Sequence, residues 1–510
     1  MRGRDPNGVV TRADRGAARP QLWLCAVAMC LICARPGAAL AHALPDRYEL
    51  PIPLDLYLGA AGLAVGFSFV LLAACLRARP QDYPRIDLSR IPVFRLCSAL
   101  LRGILRAIGL GAFLLVLVAG LFGDQRGLRN IAPVLIWVIW WVGLAFLCAL
   151  IGNAWRHLNP WRTLFDIVEG IRALSPRLSY PLWLGSWPAV GFFLIFAWME
   201  LVWVGAERPR DLALAILLYS AVTLAGMAVY GRDAWLGKAE AFSVFFATLG
   251  RFAPLSAGGS DPDPPGTLRS YALGLTQERP LPASRLAFVM LMLALVTFDG
   301  LLETPLWSEL SEALRNRSVM SAPWQALVRA GVDPNAVLMT VGLLATPMIF
   351  FAAYWLICAI AAWAVGKGRA PGQRRWTAWE LARIFVLSLV PIAIAYHFAH
   401  YLSYLLLAGQ FAIPLASDPF GFGWNLFGTK LYRFDIGIID ARSVWIVCLT
   451  AIVLGHVAAV YLAHRTAILL FGEGRLALAS QVPMVALMIG YTMSSLWILA
   501  QPIVTSPKPG

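Results

Sequence analysis

Ten long apolar runs separated by short polar connections set the pattern of this chain, centred on 54–76, 108–123, 132–153, 184–204, 211–230, 286–305, 336–365, 382–408, 443–465 and 477–503. All but the short second run are long enough to cross a hydrocarbon core of roughly 30 Å as a helix. None alternates apolar and polar positions as a barrel strand would. The predicted fold is therefore all-α: a polytopic transmembrane helical bundle forming one membrane domain over 42–510. Ahead of it, arginines up to Arg19 precede the apolar stretch from Leu22 to Ala34 and then Ala39-Leu40-Ala41. That order matches the charged, apolar and small-residue parts of a cleavable signal peptide spanning 1–41. Cleavage there makes His42 the first mature residue, outside the cytoplasm.

Composition supports a membrane protein over a soluble one: 59% of the 510 residues are hydrophobic and only 14% are charged. The net charge of +14 does not point to nucleic acid, because the basic residues sit in the short connections between apolar runs. Segments 77–107, 154–183, 231–285, 366–381 and 465–475 are all basic. Every second connection is thus positive, which places those five in the cytoplasm. Segments 205–210, 306–335 and 409–442 then face outward. Within the cytoplasmic connections, 161–174 and 235–255 mix apolar and charged positions at helical spacing and read as interfacial helices. The stretch 256–283, rich in Gly, Pro, Asp and Ser, reads as a flexible loop. The eight cysteines are scattered between leader and spans and form no disulfide or thiolate framework. A homo-oligomer or a homologous second subunit is compatible with all of this.

Five side chains stand where a bilayer tolerates them least: Glu200, Asp299, Glu303, His397 and His400. Ionisable groups within spans are costly and usually mark functional sites. The orientation above brings all five towards the outer face. Asp299 and Glu303 are spaced i, i+4, and His397 and His400 i, i+3, so each pair shares a helix face. Pro391 is expected to kink the helix that carries the histidines. Carboxylates and imidazoles from facing helices are a ligand set for zinc, manganese, iron or copper. The expected metal ligands are Asp299, Glu303, His397 and His400, with Glu200 as a general base or further ligand. Glu303 serves as a ligand, a bridge or a catalytic group. His42, with its amine and imidazole, is a further candidate for copper. His456 is expected near mid-membrane, while His157 and His464 read as structural groups at the inner face. The competing explanation is that each acid pairs with an Arg or Tyr and each imidazole caps a backbone carbonyl. Nucleophile elbows, Walker lysine loops, dinucleotide fingerprints and zincin motifs are all missing from the sequence.

Four stretches carry a resemblance: HALPDRYELPIPLDLYL, WVIWWVGLAFLCALIGNAWRHLNPWRTLFD, GRDAWLGKAEAFSVFFATLGRFAPL and TFDGLLETPLW. They resemble the bacterial membrane-bound fenitrothion hydrolase family over most of the chain, from His42 to the region of His400. The resemblance implies hydrolysis of a small apolar organophosphorus substrate, an aryl phosphotriester, with release of a nitrophenol. No residue role comes with it. A bound metal would suit that chemistry by lowering the pKa of water and polarising the phosphoryl oxygen. Two other classes fit the same residues, a proton- or metal-coupled transporter and a metal-handling or assembly factor of the cell membrane.

Overall fold

Apolar runs bounded by capping residues and prolines wind into helices here, and ten of them among the described residues are long and apolar enough to cross a membrane. The computed structural model describes residues 47–505 apart from 76–83, 172–175, 260, 277–278, 317, 369–370, 373 and 473. The spans are α1 (Leu54–Cys75), α2 (Pro92–Phe122), α3 (Ile131–Leu150), α4 (Leu182–Leu201), α5 (Pro209–Tyr230), α6 (Ala283–Leu302), α7 (Pro334–Gly368), α8 (Ala378–Ser417), α9 (Ala441–Phe471) and α10 (Arg475–Ile503). Local chemistry sets their starts. Pro92 occupies the first turn of α2, a Thr377–Glu380 capping box opens α8, and Asp440 caps α9 by accepting from the Ser443 amide. The protein is accordingly an all-α, multi-pass membrane protein. Among the described residues, strand is confined to two short pairings and an isolated bridge, and one pairing ties Tyr48–Glu49 to Val504–Thr505.

Burial sorts the spans. In α8 and α6, 83% and 72% of the most apolar window is inside the protein, against 22% for α1, α2, α4 and α7. These two central helices carry Asp299, His397 and His400, so the costly residues lie on the helices best shielded from lipid. Helix α8 packs against α9 and α6, and α10 packs against α1, α7 and α9. Within α8, a short 3-10 segment, Val386–Leu389, precedes Pro391, which marks the expected irregularity at that proline.

Three segments differ from their sequence reading. Helix α2 starts at Pro92, well before the apolar run, because its Arg-bearing first turns continue the helical pattern. The second half of the expected interfacial segment 235–255 does not lie on the surface. Residues Ala241–Gly250 form a separate short helix with eight of ten residues buried, inserted beside α3 and α4. Glu240 caps it, accepting from the amides of Phe242 at 2.9 Å and Ser243 at 2.7 Å and from the Tyr219 hydroxyl at 2.7 Å. Burial pushes the Glu240 carboxyl above the ordinary range. The stretch expected as a flexible loop is anchored instead. Arg269, its side chain fully buried, pairs with Asp261 and with Asp263, and Thr267–Leu268 pairs with Ile86–Asp87. The other proposed interfacial helix, Pro160–Ile171, buries Trp161 and Phe165 while Ile167 and Ile171 remain exposed.

Candidate functional site

Where the inserted helix meets α3, α4, α6 and α8, polar groups gather inside an aromatic shell. The His400 Nε2 lies 2.9 Å from Asp299 Oδ2. The Tyr401 hydroxyl donates to the same Asp299 Oδ2 at 2.6 Å, and its oxygen lies 3.3 Å from Glu200 Oε1. One phenol therefore joins carboxylates from α4 and α6, and one carboxylate oxygen joins two side chains of α8. Helical geometry makes this possible, because consecutive residues His400 and Tyr401 project about 100° apart and reach Asp299 from two sides.

His397 sits one turn earlier on α8. It is 8% exposed, and its Nε2 has no hydrogen-bond partner. Its ring stands edge-on to Trp141 at 5.5 Å and to Tyr401 at 4.7 Å. A cavity of about 20 Å³ is lined by Glu200, Asp299, His397, Tyr401, Trp141 and Phe196, among others. That is room for a single water. Trp141 Nε1–H is directed at Glu200 and Tyr401 in the same pocket. A matching cavity of about 20 Å³ lies on the far side of His400, lined by Gly300, Glu303 and Ser403.

Trp141 belongs to a ten-residue π-helical segment, Val134–Gly143, within α3. Such segments are rare and recur at functional sites. This one presents Trp137, Trp140 and Trp141 to one neighbourhood. Phe196 of α4 stacks on Trp137 at 5.5 Å and meets Trp141 at 4.7 Å. Beyond Phe196 lies a cavity of about 520 Å³ between α2, α3, α4 and α5, its lining almost wholly apolar. Its wall includes Ile108, Ile139 and Ile195, which are exposed on the outside of the bundle. The cavity therefore opens sideways, where lipid would lie. Phe196 lines both cavities and divides the apolar space from the polar one.

Of the residues singled out in the sequence, Glu200, Asp299, His397 and His400 come together. Glu303 does not join them: it is exposed, caps the end of α6, and meets the second small cavity beside His400. His42 lies outside the described residues, as does the signal peptide. His456 is fully buried with Nδ1 on the Ile452 carbonyl at 2.8 Å. His157 and His464 stand apart from the cluster. The loop aspartates are structural: Asp435 and Asp440 cap helices, and Asp418 accepts the amides of Phe422 and Gly423. Tyr401, Trp141 and Phe245 of the inserted helix are additions. Only Tyr401 left a trace, as the neighbour of His400 in an aromatic-histidine run.

Asp299 is already engaged by His400 and Tyr401, and no group of three or more His, Cys, Asp or Glu among the described residues is placed to hold one ion. As folded, His400, Asp299, Tyr401 and Glu200 form a hydrogen-bonded network. No family model, no curated protein and no solved structure matches this chain.

Proposed function

We propose that this protein is a membrane-embedded hydrolase of small apolar esters, with the aryl phosphotriesters as its substrate class, and that it acts through side chains around one water. The observation that supports this reading is the water-sized cavity where His397 Nε2, Glu200, Asp299 and the Tyr401 hydroxyl converge behind Phe196. The substrate class rests on the resemblance and on the adjoining apolar cavity, whose size and lining suit a drug-sized lipophilic molecule. A triester dissolved in lipid would reach that cavity sideways, and displacement of Phe196 would bring phosphorus to the water.

In the reaction, His397 Nε2 takes a proton from the water as its oxygen bonds to phosphorus, and the bond from phosphorus to the aryl oxygen breaks. The nitrophenolate leaves with the bonding pair. Glu200 holds the water's second proton, and Tyr401, fixed by Asp299, positions Glu200. His400 fixes Asp299 in turn, so a chain of partners orients the carboxyl that holds the water while His397 acts as the base. We place the protein in the bacterial inner membrane with its arginine-rich end in the cytoplasm, so the site would open towards the outer side.

The test is release of nitrophenol from a nitrophenyl dialkyl phosphorothioate by membranes of an esterase-poor host expressing the chain. Release that is lost in His397→Ala and Glu200→Gln but survives chelation is the expected result. No release from membranes containing folded protein would overturn the assignment. Release abolished by chelator and restored by a divalent ion would replace the side-chain mechanism with the metal-assisted one.

A further inference from the structure

A second set of buried polar groups continues from the site into the depth of the bundle, and the hydrolytic reading makes no use of it. Tyr396, one turn before His400 on α8, stacks near its ring at 6.3 Å and near Tyr491 of α10 at 6.4 Å. The Tyr491 hydroxyl shares a 2.6 Å hydrogen bond with Thr297 Oγ1 of α6. The ring of His456 on α9 stands 5.7 Å from Tyr491. Ser495, fully buried, lies one turn beyond Tyr491 on the same helix. Further along α9, His464 bonds Gln481 of α10 through Nδ1 at 2.8 Å, near the arginine-rich end. Both α9 histidines therefore face α10.

Three atoms in this column have no hydrogen-bond partner, Tyr396 Oη, His456 Nε2 and His464 Nε2, and the Ser495 hydroxyl reaches Tyr491. Those three residues and Ser495 are almost completely buried, His464 being the most exposed at 2%. Each unsatisfied buried polar atom costs about 1–3 kcal/mol, and a helix seam needing only packing would use Leu or Ala at these positions. Hydroxyls and imidazoles are the groups that accept a proton on one side while giving one up on the other, and in spans they mark proton paths. The interval between His456 and His464 is eight residues, roughly 12 Å at 1.5 Å rise per residue. The core around it includes Ala459, Ala463, Met484 and Met488, which are small or readily repacked.

We propose that the column His464–Gln481, His456, Tyr491–Thr297, Ser495 and Tyr396 is a proton path that joins the arginine-rich end of the bundle to the Asp299–His400 pair. Protons then cross the protein without net change at any group, each residue receiving one as it passes one on. The Glu303-lined cavity beside His400 supplies the connection at the other end. This activity requires no ester and stands apart from the hydrolytic reading.

The test is proton flux in proteoliposomes of the full chain, loaded with a pH-sensitive dye and clamped with valinomycin under an imposed pH gradient. Wild-type vesicles should dissipate the gradient several times faster than His456→Leu vesicles, and Tyr491→Phe, which removes one hydroxyl, should slow the flux as well. If His456→Leu fails to fold, the Tyr491→Phe comparison decides. Equal rates for wild type and these variants, or for wild type and protein-free vesicles, would overturn the proposal. Flux without ester hydrolysis would leave it standing and remove the hydrolase. Hydrolysis without flux would do the reverse.

Discussion

Replacing Asp299 with Asn tests the network at the point where its contacts meet. A single oxygen, Oδ2, receives both the Tyr401 hydroxyl at 2.6 Å and His400 Nε2 at 2.9 Å. Asparagine has nearly the same shape, so packing is preserved while the charge is lost. If its amide oxygen takes the Oδ2 position, both bonds survive as neutral ones. A hydrogen bond to a charged group contributes about 1.5–3 kcal/mol and a neutral one about 0.5–1.5 kcal/mol, so two such downgrades cost about 2–3 kcal/mol. At about 1.36 kcal/mol per factor of ten, and with the whole cost falling on the transition state, the expected loss in kcat/KM is roughly 30- to 160-fold. If the amide nitrogen sits there instead, two donors oppose it and the loss is larger. The assay is nitrophenol release by protein in nanodiscs, paired with a thermal unfolding scan. Loss of rate with little change in melting temperature is expected, because the weaker hydrogen bonds are offset by removal of a buried acid. A rate within threefold of wild type would refute the role given to Asp299, and a matching fall in melting temperature would make that role structural.

Two further outcomes follow from particular contacts. A methyl group added at Gly300 would lie 2.8 Å from both Ile498 Cγ2 and the Tyr396 hydroxyl, so Gly300→Ala should destabilise by about 1–3 kcal/mol through overpacking; an unaltered melting temperature would show that α6 and α10 separate more easily than their packing implies. At the arginine-rich end, burial first and the neighbouring Arg156 next push His157 down to about 4. The unfolded chain takes up this proton near the ordinary 6.5 while the folded chain resists until near 4, so stability is lost as pH falls through that window. His157→Gln should flatten the decline of melting temperature between those two pH values, and an unchanged slope would remove His157 as its source.

How much of this arrangement is legible in the chain depends on what a bilayer penalises. Acids and histidines in spans are expensive enough to stand out singly, and four of the five chosen that way do meet at one place. The fifth, Glu303, shows where face arithmetic stops. Glu303 keeps a helical conformation and reaches the cavity on the far side of His400, but α6 ends at Leu302 and its cap residue is exposed there. Aromatic residues carry no such penalty. Trp141 and Tyr401 look like the many other rings of a membrane protein until the backbone puts an indole and a phenol beside the same carboxylates. The inserted helix was hidden for a related reason. AFSVFFATLG is too short to span and is flanked by charges, which is also how a surface helix reads, and only its neighbours decide between the two. Even so, the capping acid that makes insertion possible is in the sequence. Glu240 gives two amides at that helix start a buried acceptor, and without one they would face the apolar core at about 1–3 kcal/mol each. An acidic residue just before a short, wholly apolar, aromatic-rich stretch is therefore a readable sign of a re-entrant helix. Here it leads directly to the wall of the site, because Phe245 on that helix packs against both Trp141 and His397.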